Sequence, residues 1–226
     1  MLGGMRRLLA LVILLGFAAP FLVKGWTEAQ QLWENYQPVD LEAIPAGDRE
    51  LLDALVVTAD ADVAYNRDEW VHWIDLDGDC QDTRQEVLAA ESAPDALVWD
   101  QAGCQVAAGR WRDPYTGQVF TDPADLDIDH LVPLGAAARA GGQAWSAQRK
   151  EDYANWLTDG RNLIAVDASA NRAKSDQAPD QWRPDNRRYW CTYARDWAAV
   201  KVAWGLTATR AEHSALTRML ATCGDR

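Results

Sequence analysis

The sequence predicts one folded domain of the α+β class, with a small α/β region first and a pair of helices last, and three observations predict it. The segment LDIDHLVPLG at residues 126–135 alternates like a strand, a second β-like run begins at Asn162, and ANRAKSDQ then indicates the start of a helix. Two helical patterns close the chain. The 226 residues, of which 48% are hydrophobic and 25% charged, can bury one core.

The N-terminus carries an export signal. Two arginines precede the uninterrupted apolar run LLALVILLGFAAPFLV at residues 8–23, and Lys24 closes it. This run is short for a spanning helix, which needs about 20 residues, while Pro20 within it disfavours cleavage just before that position. Residues 1–24 are therefore either a cleaved signal peptide or a signal anchor that touches the membrane through residues 8–23. In both cases the remainder is exported, as a secreted protein or one held at the outer face of the cytoplasmic membrane.

Four cysteines, all beyond the signal, agree with export. They are Cys80, Cys104, Cys191 and Cys223. None lies in a C-x-x-C pattern, which disfavours a zinc knuckle. Three pairings are possible, and we favour Cys80 with Cys104 and Cys191 with Cys223 because these pairs close local loops. Each bond would stabilise the fold by about 2–4 kcal/mol.

Charge divides the chain into an acidic and a basic part. Residues 25–129 contain 5 Lys and Arg against 24 Asp and Glu, whereas residues 130–226 contain 14 against 10, within a net charge of −12. Most of these carboxylates indicate a solvated acidic surface. A polyanion can therefore approach only the C-terminal half, and we expect its capture to be weak and sensitive to salt.

The elements that precede the strand-like segment are short. Residues 25–48 are polar, with scattered Trp and Pro and no sustained period, which indicates a linker or a loosely held arm. The stretch ELLDALVV at residues 50–57 predicts a short helix. The stretch PYTGQVF at residues 114–120 places a Thr-Gly turn between aromatic and β-branched residues, which indicates a strand or hairpin.

Helical patterns dominate the second half of the chain. WSAQRKEDYANWL, at residues 145–157, begins with a serine and good helix formers and predicts a helix. RRYWCTYARDWAAVKVAWG spaces Tyr193, Trp197 and Val200 on one face and ends at a glycine. TRAEHSALTRMLATCG begins with a Thr-x-x-Glu capping box and also ends at a glycine. The pairing of Cys191 with Cys223 would join these two helices.

Several chemically specific residues follow one another in the order DH-x-x-PL, N-L-x-x-V, N-x-x-K. They are Asp129 and His130 in DIDHLVPL, Asn162 in RNLIAVD, and Asn171 and Lys174 in NRAKSD. This order resembles the HNH nucleases of the ββα-metal superfamily, and NRAKSD is nearly the segment found in the HNH domain of RNA-guided CRISPR nucleases. With DxDGDCQDTRQEVL, DPYTG and CTYARDWAAVKVAWGL added, Trp70–Cys223 is similar to exported bacterial HNH proteins related to the C-terminal domain of GmrSD-type restriction enzymes.

The resemblance implies a single HNH nuclease domain at residues 49–226 with a ββα core at about residues 124–182. It implies a metal-dependent endonuclease that hydrolyses phosphodiester bonds of DNA, or of RNA. No recognition helix or target-recognition domain adjoins the pattern, so we expect cleavage without sequence specificity. The pattern implies no protein partner, and it leaves the biological role open.

The same resemblance assigns roles in catalysis. An Asp129 carboxylate and an Asn171 amide oxygen would hold one divalent metal ion, and His130 would be the general base. Asn162 would tie the two strands and position the loop that bears His130. Adjacent residues on a regular strand point to opposite faces, so the strand must end or twist at His130 for both members of the pair to serve one site. Asn171 stands where many HNH sites have histidine, which favours Mg²⁺ or Mn²⁺ over zinc.

Substrate contacts are also implied. Lys174 follows Asn171 by three residues and would meet a phosphate from the same side of the helix, with Arg172 as a second candidate. Arg84 is a third, since the dipeptide TR recurs in the family resembled. His72, in WVHW, is expected to pack among tryptophans instead of taking part in catalysis.

An acidic loop supports an alternative function. Asp75, Asp77, Asp79 and Glu86 occupy positions 1, 3, 5 and 12 of a calcium-binding loop. Position 6, however, is Cys80 where such loops need glycine, which favours an acidic turn held by that cysteine. If the loop binds calcium, the chain could instead be a non-catalytic cell-surface module with a vestigial HNH site.

Overall fold

Short strands alternate with helices along the part of the chain that the structure describes, residues 39–225 of a computed structural model. The helices in that part are α1 (Ala46–Asp53), α2 (Thr83–Glu91), α3 (Leu134–Arg139), α4 (Ala147–Ala154), α5 (Ala168–Lys174), α6 (Trp190–Trp204) and α7 (Arg210–Ala221). The strands are β1 (Val98–Trp99), β2 (Val106–Ala108), β3 (Trp111–Arg112), β4 (Val119–Phe120), β5 (Leu126–His130) and β6 (Leu163–Asp167). Consecutive strands form three antiparallel pairs. The predicted α+β class is confirmed.

The predicted signal at residues 1–24 and the linker up to residue 38 lie outside the described residues. Residues 39–48, which the sequence assigns to the linker, belong to the ordered body. Ile44 in this stretch is 1% exposed, and the Asp48 carboxylate pairs with Arg195 at 2.6 Å. Among the helices of the described part, none is long and apolar enough to cross a membrane.

Strands β5 and β6 and helix α5 form the predicted ββα unit. Along β5, Leu126 and Ile128 are buried apolar residues that alternate with Asp127 and Asp129. Strand β6 is instead apolar at four consecutive positions, because both of its faces are covered. The chain passes from β6 directly into α5, where the Asp167 side chain accepts the Ala170 N–H at 2.7 Å and caps the helix.

Two hydrophobic clusters lie against this pair of strands. Leu163 and Ala165 of β6 enter a smaller cluster with residues of α2, β2 and β3. Ile164 and Val166, which alternate with them, enter a larger cluster with α3, α4, α6 and α7. The β5–β6 pair is thus held between two cores, and this fixes the position of the end of β5.

In the C-terminal helical pair, the predicted end of α6 and the predicted start of α7 are confirmed, whereas α7 ends at Ala221, before the predicted glycine. Gly205 follows α6 in the left-handed conformation at φ 67°, which glycine adopts without strain. Thr209 and Glu212 form both hydrogen bonds of the predicted capping box at the start of α7. Tyr193 and Trp197, predicted to share one face of α6, are both fully buried.

Both disulfides have the pairing that the sequence favours. Cys80 bonds to Cys104 and so ties the loop before α2 to the β1–β2 turn. Cys191 bonds to Cys223 and ties the first turn of α6 to the chain after α7. Each of the two therefore reinforces a different part of the fold.

Three predicted elements are shifted. The helix expected at residues 50–57 is α1, which begins at Ala46 because Pro45 precedes it and proline favours a helix start. The expected hairpin is β3–β4, whose first strand lies before residue 114, since the Asp113 carboxylate accepts N–H groups of the next residues and turns the chain there. The helix expected at 145–157 is the shorter α4, capped by Ser146.

Candidate active site

A polar cleft of about 560 Å³ opens at the end of β5. Asp129 and His130, the last two residues of the strand, both line it. Asn171 and Arg172 line it from α5. Strand β5 ends at His130, which is the condition predicted from the sequence for two adjacent residues to serve one site.

The His130 ring is held in one orientation by a backbone carbonyl. Its Nε2 lies 2.9 Å from the Ala154 oxygen, and the ring packs near Trp73 and Tyr153, with centroids 5.5 Å and 6.5 Å away. A carbonyl only accepts hydrogen bonds, so Nε2 carries the proton and Nδ1 keeps its lone pair in the neutral ring. Burial lowers the pKa of His130 to about 3, which keeps that neutral form at physiological pH.

Asn162 lies behind His130 and is fully buried. Its backbone oxygen accepts the Leu131 N–H at 2.7 Å, and its side-chain oxygen accepts the Val132 N–H at 3.4 Å. Its Nδ2 donates to the Tyr153 oxygen at 3.5 Å, one residue before the carbonyl that holds His130. These contacts connect the loop after β5 to the end of α4, and the positioning role that the resemblance implies stays a prediction.

Asp129 is buried with a lysine and a tyrosine. Lys174 Nζ lies 2.9 Å from Oδ1 and 2.8 Å from Oδ2 of Asp129, and it also donates to the His130 oxygen at 3.1 Å. The Tyr115 hydroxyl donates to Oδ2. Burial raises the pKa of Asp129 while the Lys174 ammonium opposes that rise.

The position of Lys174 differs from the expected one. The sequence places it on the phosphate side of α5, but its side chain is 0% exposed and bonded to Asp129. Spacing along the helix gave the correct direction, since Lys174 does face β5 with Asn171. The side chain nevertheless cannot reach a substrate, because the interior covers it and its charge is used within the protein.

Asn171 and Arg172 remain accessible from the cleft. Asn171 Nδ2 donates to Asp127 Oδ2 at 3.3 Å, which leaves its amide oxygen as the atom that can bind a cation. The Arg172 side chain is 75% exposed, with Nε 3.7 Å from the same carboxylate oxygen. Asp127 thus orients both residues of α5.

Comparison with known proteins identifies a family for the part of the chain that contains the cleft residues of β5 and α5. Residues 82–219, more than half of the chain, match the family described as GmrSD restriction endonucleases, C-terminal domain. The chain belongs to this family. An uncharacterized secreted protein of Arthroderma benhamiae is 42% identical over 159 residues, which cover 70% of this chain and 76% of the relative. No solved structure matches the chain.

The GmrSD C-terminal family confirms the kinship that the resemblance implied, but the bacterial origin gains no support, since the relative is fungal. The matched span contains β5, β6 and α5 and hence Asp129, His130, Asn162 and Asn171. It leaves out the chain before residue 82, although Tyr65 and Arg67 line the same cleft.

The side chains of the cleft fit a Mg²⁺ or Mn²⁺ ion. The Asp129 carboxylate and the Asn171 amide are hard oxygen ligands, and both line the cleft. Within residues 39–225, Asp129 belongs to no group of three His, Cys, Asp or Glu residues with ligand atoms close together. Two protein ligands suit an ion that keeps several waters and takes phosphate oxygens, as Mg²⁺ usually does.

Arg84 lies away from the cleft opening. Its Nη2 donates to the backbone oxygens of Pro123 and Leu126, both at 3.0 Å. The guanidinium therefore joins α2 to the start of β5 and supports the strand. These hydrogen bonds give Arg84 a structural role, which differs from the expected contact with substrate.

The acidic loop folds as a turn. Asp75 accepts the N–H groups of Gly78 and Cys80 at 2.8 Å and 2.9 Å, and Cys80 has φ 74° where the turn reverses. Carboxylate oxygens of Asp75, Asp77 and Asp79 lie within 4.8 Å of one another. Burial, and then these neighbouring carboxylates, raise the pKa of Glu86. These hydrogen bonds form an acidic turn that includes Cys80. The clustered carboxylates could also hold a metal ion, so the choice between turn and calcium loop stays a prediction.

Sequence reasoning missed three residues of the site. Asp127 could have been found, because the alternation of β5 places it on the same face as Asp129. Tyr115 lies in the DPYTG segment, which contributed to the resemblance without a role for its tyrosine. Arg67 follows no local pattern, and its place in the cleft depends on the packing of distant segments.

Proposed function

We propose that this protein is an exported, metal-dependent HNH-type endonuclease that hydrolyses phosphodiester bonds of DNA without sequence specificity. The observation that carries the proposal is the orientation of His130. Its Nε2 donates to the Ala154 oxygen, which leaves the lone pair of the neutral ring on Nδ1, and His130 lines the same cleft as Asp129 and Asn171. A base beside hard oxygen ligands is the minimum that phosphodiester hydrolysis needs.

His130 would act on the attacking water. Nδ1 takes a proton from the water as its oxygen bonds to phosphorus, and the bond between phosphorus and the leaving oxygen breaks. The phosphate anion in the cleft favours the resulting imidazolium, because an opposite charge stabilises the charged form. The Ala154 carbonyl accepts a hydrogen bond from the ring in both protonation states, so the ring need not turn during the step.

Asp129 and Asn171 would hold the divalent ion, Mg²⁺ or Mn²⁺. When bound, that ion supplies positive charge that stabilises the phosphate oxygens and the leaving oxygen. Lys174 shares the Asp129 carboxylate and removes much of its negative charge, so we expect weak metal binding until phosphate oxygens complete the ligand set. Lys174 also holds the His130 carbonyl and thereby sets the distance between base and metal ligand.

The substrate would be DNA, or RNA, bound through its phosphates. Arg172 extends from the cleft into solvent and can meet a backbone phosphate on either side of the cleaved bond. The acidic first half of the chain repels the rest of a polyanion, which favours shallow contact and strong dependence on salt. Phosphate contacts carry no sequence information, which supports cleavage without specificity.

Export is supported from three directions. The first 24 residues have the charge and apolar pattern of a signal. The four cysteines form two disulfides, which persist in oxidising compartments. The fungal relative is named a secreted protein. We propose that the protein is secreted, or held at the outer face of the membrane if residues 8–23 are retained.

Nicking of supercoiled plasmid by the oxidised protein, with Mg²⁺, Mn²⁺, Ca²⁺ or EDTA, tests the proposal. We expect metal-dependent nicking, a loss of at least about 100-fold in His130→Ala, and full activity in the matched control His213→Ala, whose histidine lies on α7 outside the cleft. If the wild type and His130→Ala are equally inert while Ca²⁺ alone raises the melting temperature, the nuclease proposal fails. The acidic loop at Asp75–Asp79 would then be the functional feature.

A further inference from the structure

The chain before the family match forms one wall of the cleft. Tyr65 and Arg67 line the cleft together with Asp129 and His130. The match to the GmrSD C-terminal family begins only at residue 82, so this wall is contributed from outside the matched span. The site therefore contains a cation that no comparison assigns.

The wall is fastened to the body of the protein on its interior side. Arg67 begins a 3₁₀ turn, Arg67–Glu69, and Trp70 directly after the turn is 0% exposed. Asn155, at the end of α4, donates from Nδ2 to the Val71 oxygen at 2.9 Å. The segment that places Arg67 at the cleft is therefore anchored a few residues later, at Trp70 and Val71.

A histidine orients the Arg67 guanidinium. His72 Nδ1 lies 2.7 Å from the Trp70 oxygen, and His72 Nε2 lies 3.2 Å from Arg67 Nη2. Because a carbonyl only accepts, Nδ1 carries the proton, and Nε2 of the neutral ring accepts from Arg67. The His72 and His130 rings are 6.4 Å apart, which brings this guanidinium close to the proposed base.

The charge of Arg67 is not cancelled within the described residues. Its side-chain partners there are His72 and Tyr65, neither of which is a carboxylate. Arg139 is different, because it pairs with the carboxylates of Asp60 and Asp176 at 3.5 Å and 2.6 Å. A guanidinium without a carboxylate partner keeps its positive charge and its remaining N–H donors for an anion.

We propose that Arg67 donates hydrogen bonds to a non-bridging oxygen of the phosphate that is cleaved, and that His72 is the positioning residue that aims it. The inference rests on the proposed nuclease function. Arg67 keeps all its protons during the reaction, in which the water proton passes to His130 and the bond to the leaving oxygen breaks. Its contribution is to stabilise the negative charge that grows on the phosphate oxygens, which a fixed donor does without reorganisation.

The test compares two substrates, supercoiled plasmid and the small diester bis(4-nitrophenyl) phosphate. The variants are Arg67→Ala, Arg67→Lys, His72→Phe and His72→Gln. The control is Arg110→Ala, an exposed arginine that pairs with Asp95 outside the cleft. Melting temperatures are measured for all of them. Arg67 is exposed, so its variants should fold as the wild type does.

We expect Arg67→Ala to lower kcat by about 100-fold on both substrates, and Arg67→Lys to recover part of it. His72→Phe should lower kcat by about 10-fold, while His72→Gln, whose amide oxygen can accept from Arg67, stays close to the wild type. Activity of Arg67→Ala within about threefold of an active wild type overturns this inference alone. So does a change confined to the plasmid KM, since that shows a contact with neighbouring phosphates only. A wild type as inert as His130→Ala overturns the nuclease function and this inference together.

Discussion

Two buried lysine–carboxylate pairs share one tryptophan and serve different purposes. Lys174 with Asp129, and Lys201 with Glu212, have side chains between 0% and 6% exposed. Each ammonium lies 5.9 Å from the centroid of the Trp197 ring. Burying such charges is expensive unless every polar atom is bonded, so the two pairs have the same chemistry and meet the same requirement.

The pairs differ in what completes their hydrogen bonds. Glu212 accepts from Trp197 Nε1 and from the Thr209 N–H, and Lys201 donates to the Thr207 oxygen at 2.8 Å. All of these groups belong to α6, α7 and the turn between them. This pair therefore closes a local helix junction.

The Lys174 pair is completed by groups far apart in the chain. Tyr115 precedes β4, Asp129 is the next-to-last residue of β5 and Lys174 ends α5. The lysine also donates to the His130 carbonyl. Only this pair lies beside Asn171 and the candidate base. The comparison teaches that loss of one member of a buried ion pair destabilises the fold wherever the pair lies, whereas the catalytic value of the pair depends on which neighbours it holds.

Replacement of one lysine at a time should give the largest contrast. We expect Lys174→Met and Lys201→Met each to destabilise the fold by about 3–5 kcal/mol, because each leaves a buried carboxylate without its partner. Only Lys174→Met should also reduce nicking per folded molecule, by about 100-fold, since His130 and Asp129 lose their common donor. Urea denaturation and plasmid nicking below the melting temperature measure the two effects. Equal activity of both variants would contradict the assigned difference.

Removal of the disulfide near the local pair should affect stability alone. We expect Cys191→Ser with Cys223→Ser to lower the free energy of unfolding by about 3 kcal/mol, because the unfolded chain gains freedom. The bond joins the start of α6 to the end of α7. Specific nicking activity at 25 °C should stay within twofold of the wild type. A larger loss would mean that the helical pair also shapes the cleft.

Neutralising both members of a pair should separate the effect of buried charge on stability from the effect of side-chain packing. Lys201→Met with Glu212→Gln removes both charges and keeps one amide oxygen, which can accept from either Trp197 or the Thr209 N–H. We therefore expect it to regain only about 1 kcal/mol relative to Lys201→Met alone. Lys174→Met with Asp129→Asn should regain stability in the same way but remain inactive. Thermal unfolding and nicking of the four variants provide the measurement, and recovered activity in the second double variant would count against Asp129 as a ligand.

The smallest effect concerns Asp196, a carboxylate beside Trp197 without a buried lysine. Burial raises its pKa to about 6, although Arg161 and Arg195 oppose the rise. The folded state keeps this proton while the unfolded chain loses it near pH 4, so its contribution to stability is full below pH 4 and lost by about pH 6. Asp196→Asn should therefore stabilise the protein at pH 8 by about 1 kcal/mol, after screening of this partly exposed group. At pH 4 the two melting temperatures should coincide, and a gain there would exclude this explanation.

Local patterns explain what the sequence could predict. The alternation of β5, the glycine after α6, the capping box of α7 and the cysteine spacing each depend on residues close in the chain, and all four are found in the structure. The arrangement of His130 and Asn162 was also accessible, because the order of motif residues implies it. These features need no knowledge of distant contacts.

Contacts between distant segments explain what the sequence could not predict. The spacing from Asn171 puts Lys174 on the correct side of α5, but its burial depends on Tyr115 and Trp197. The role of Arg84 depends on carbonyls about 40 residues away. Arg67 enters the cleft because Trp70 is packed in the core, and no pattern near residue 67 encodes that. Side-chain roles that rest on tertiary burial lie beyond periodicity and spacing.

The residues of the candidate site come from distant segments, so a short fragment of the chain cannot contain the whole site. A fragment holding only β5, β6 and α5 would keep Asp129, His130 and Lys174, but it would lose the Tyr115 hydroxyl and the Trp197 ring that surround the buried charges. In such a fragment the lysine and the aspartate would be hydrated and would separate. The ββα unit is therefore not a portable module in this protein, and transplantation or truncation must carry the DPYTG turn and α6 with it.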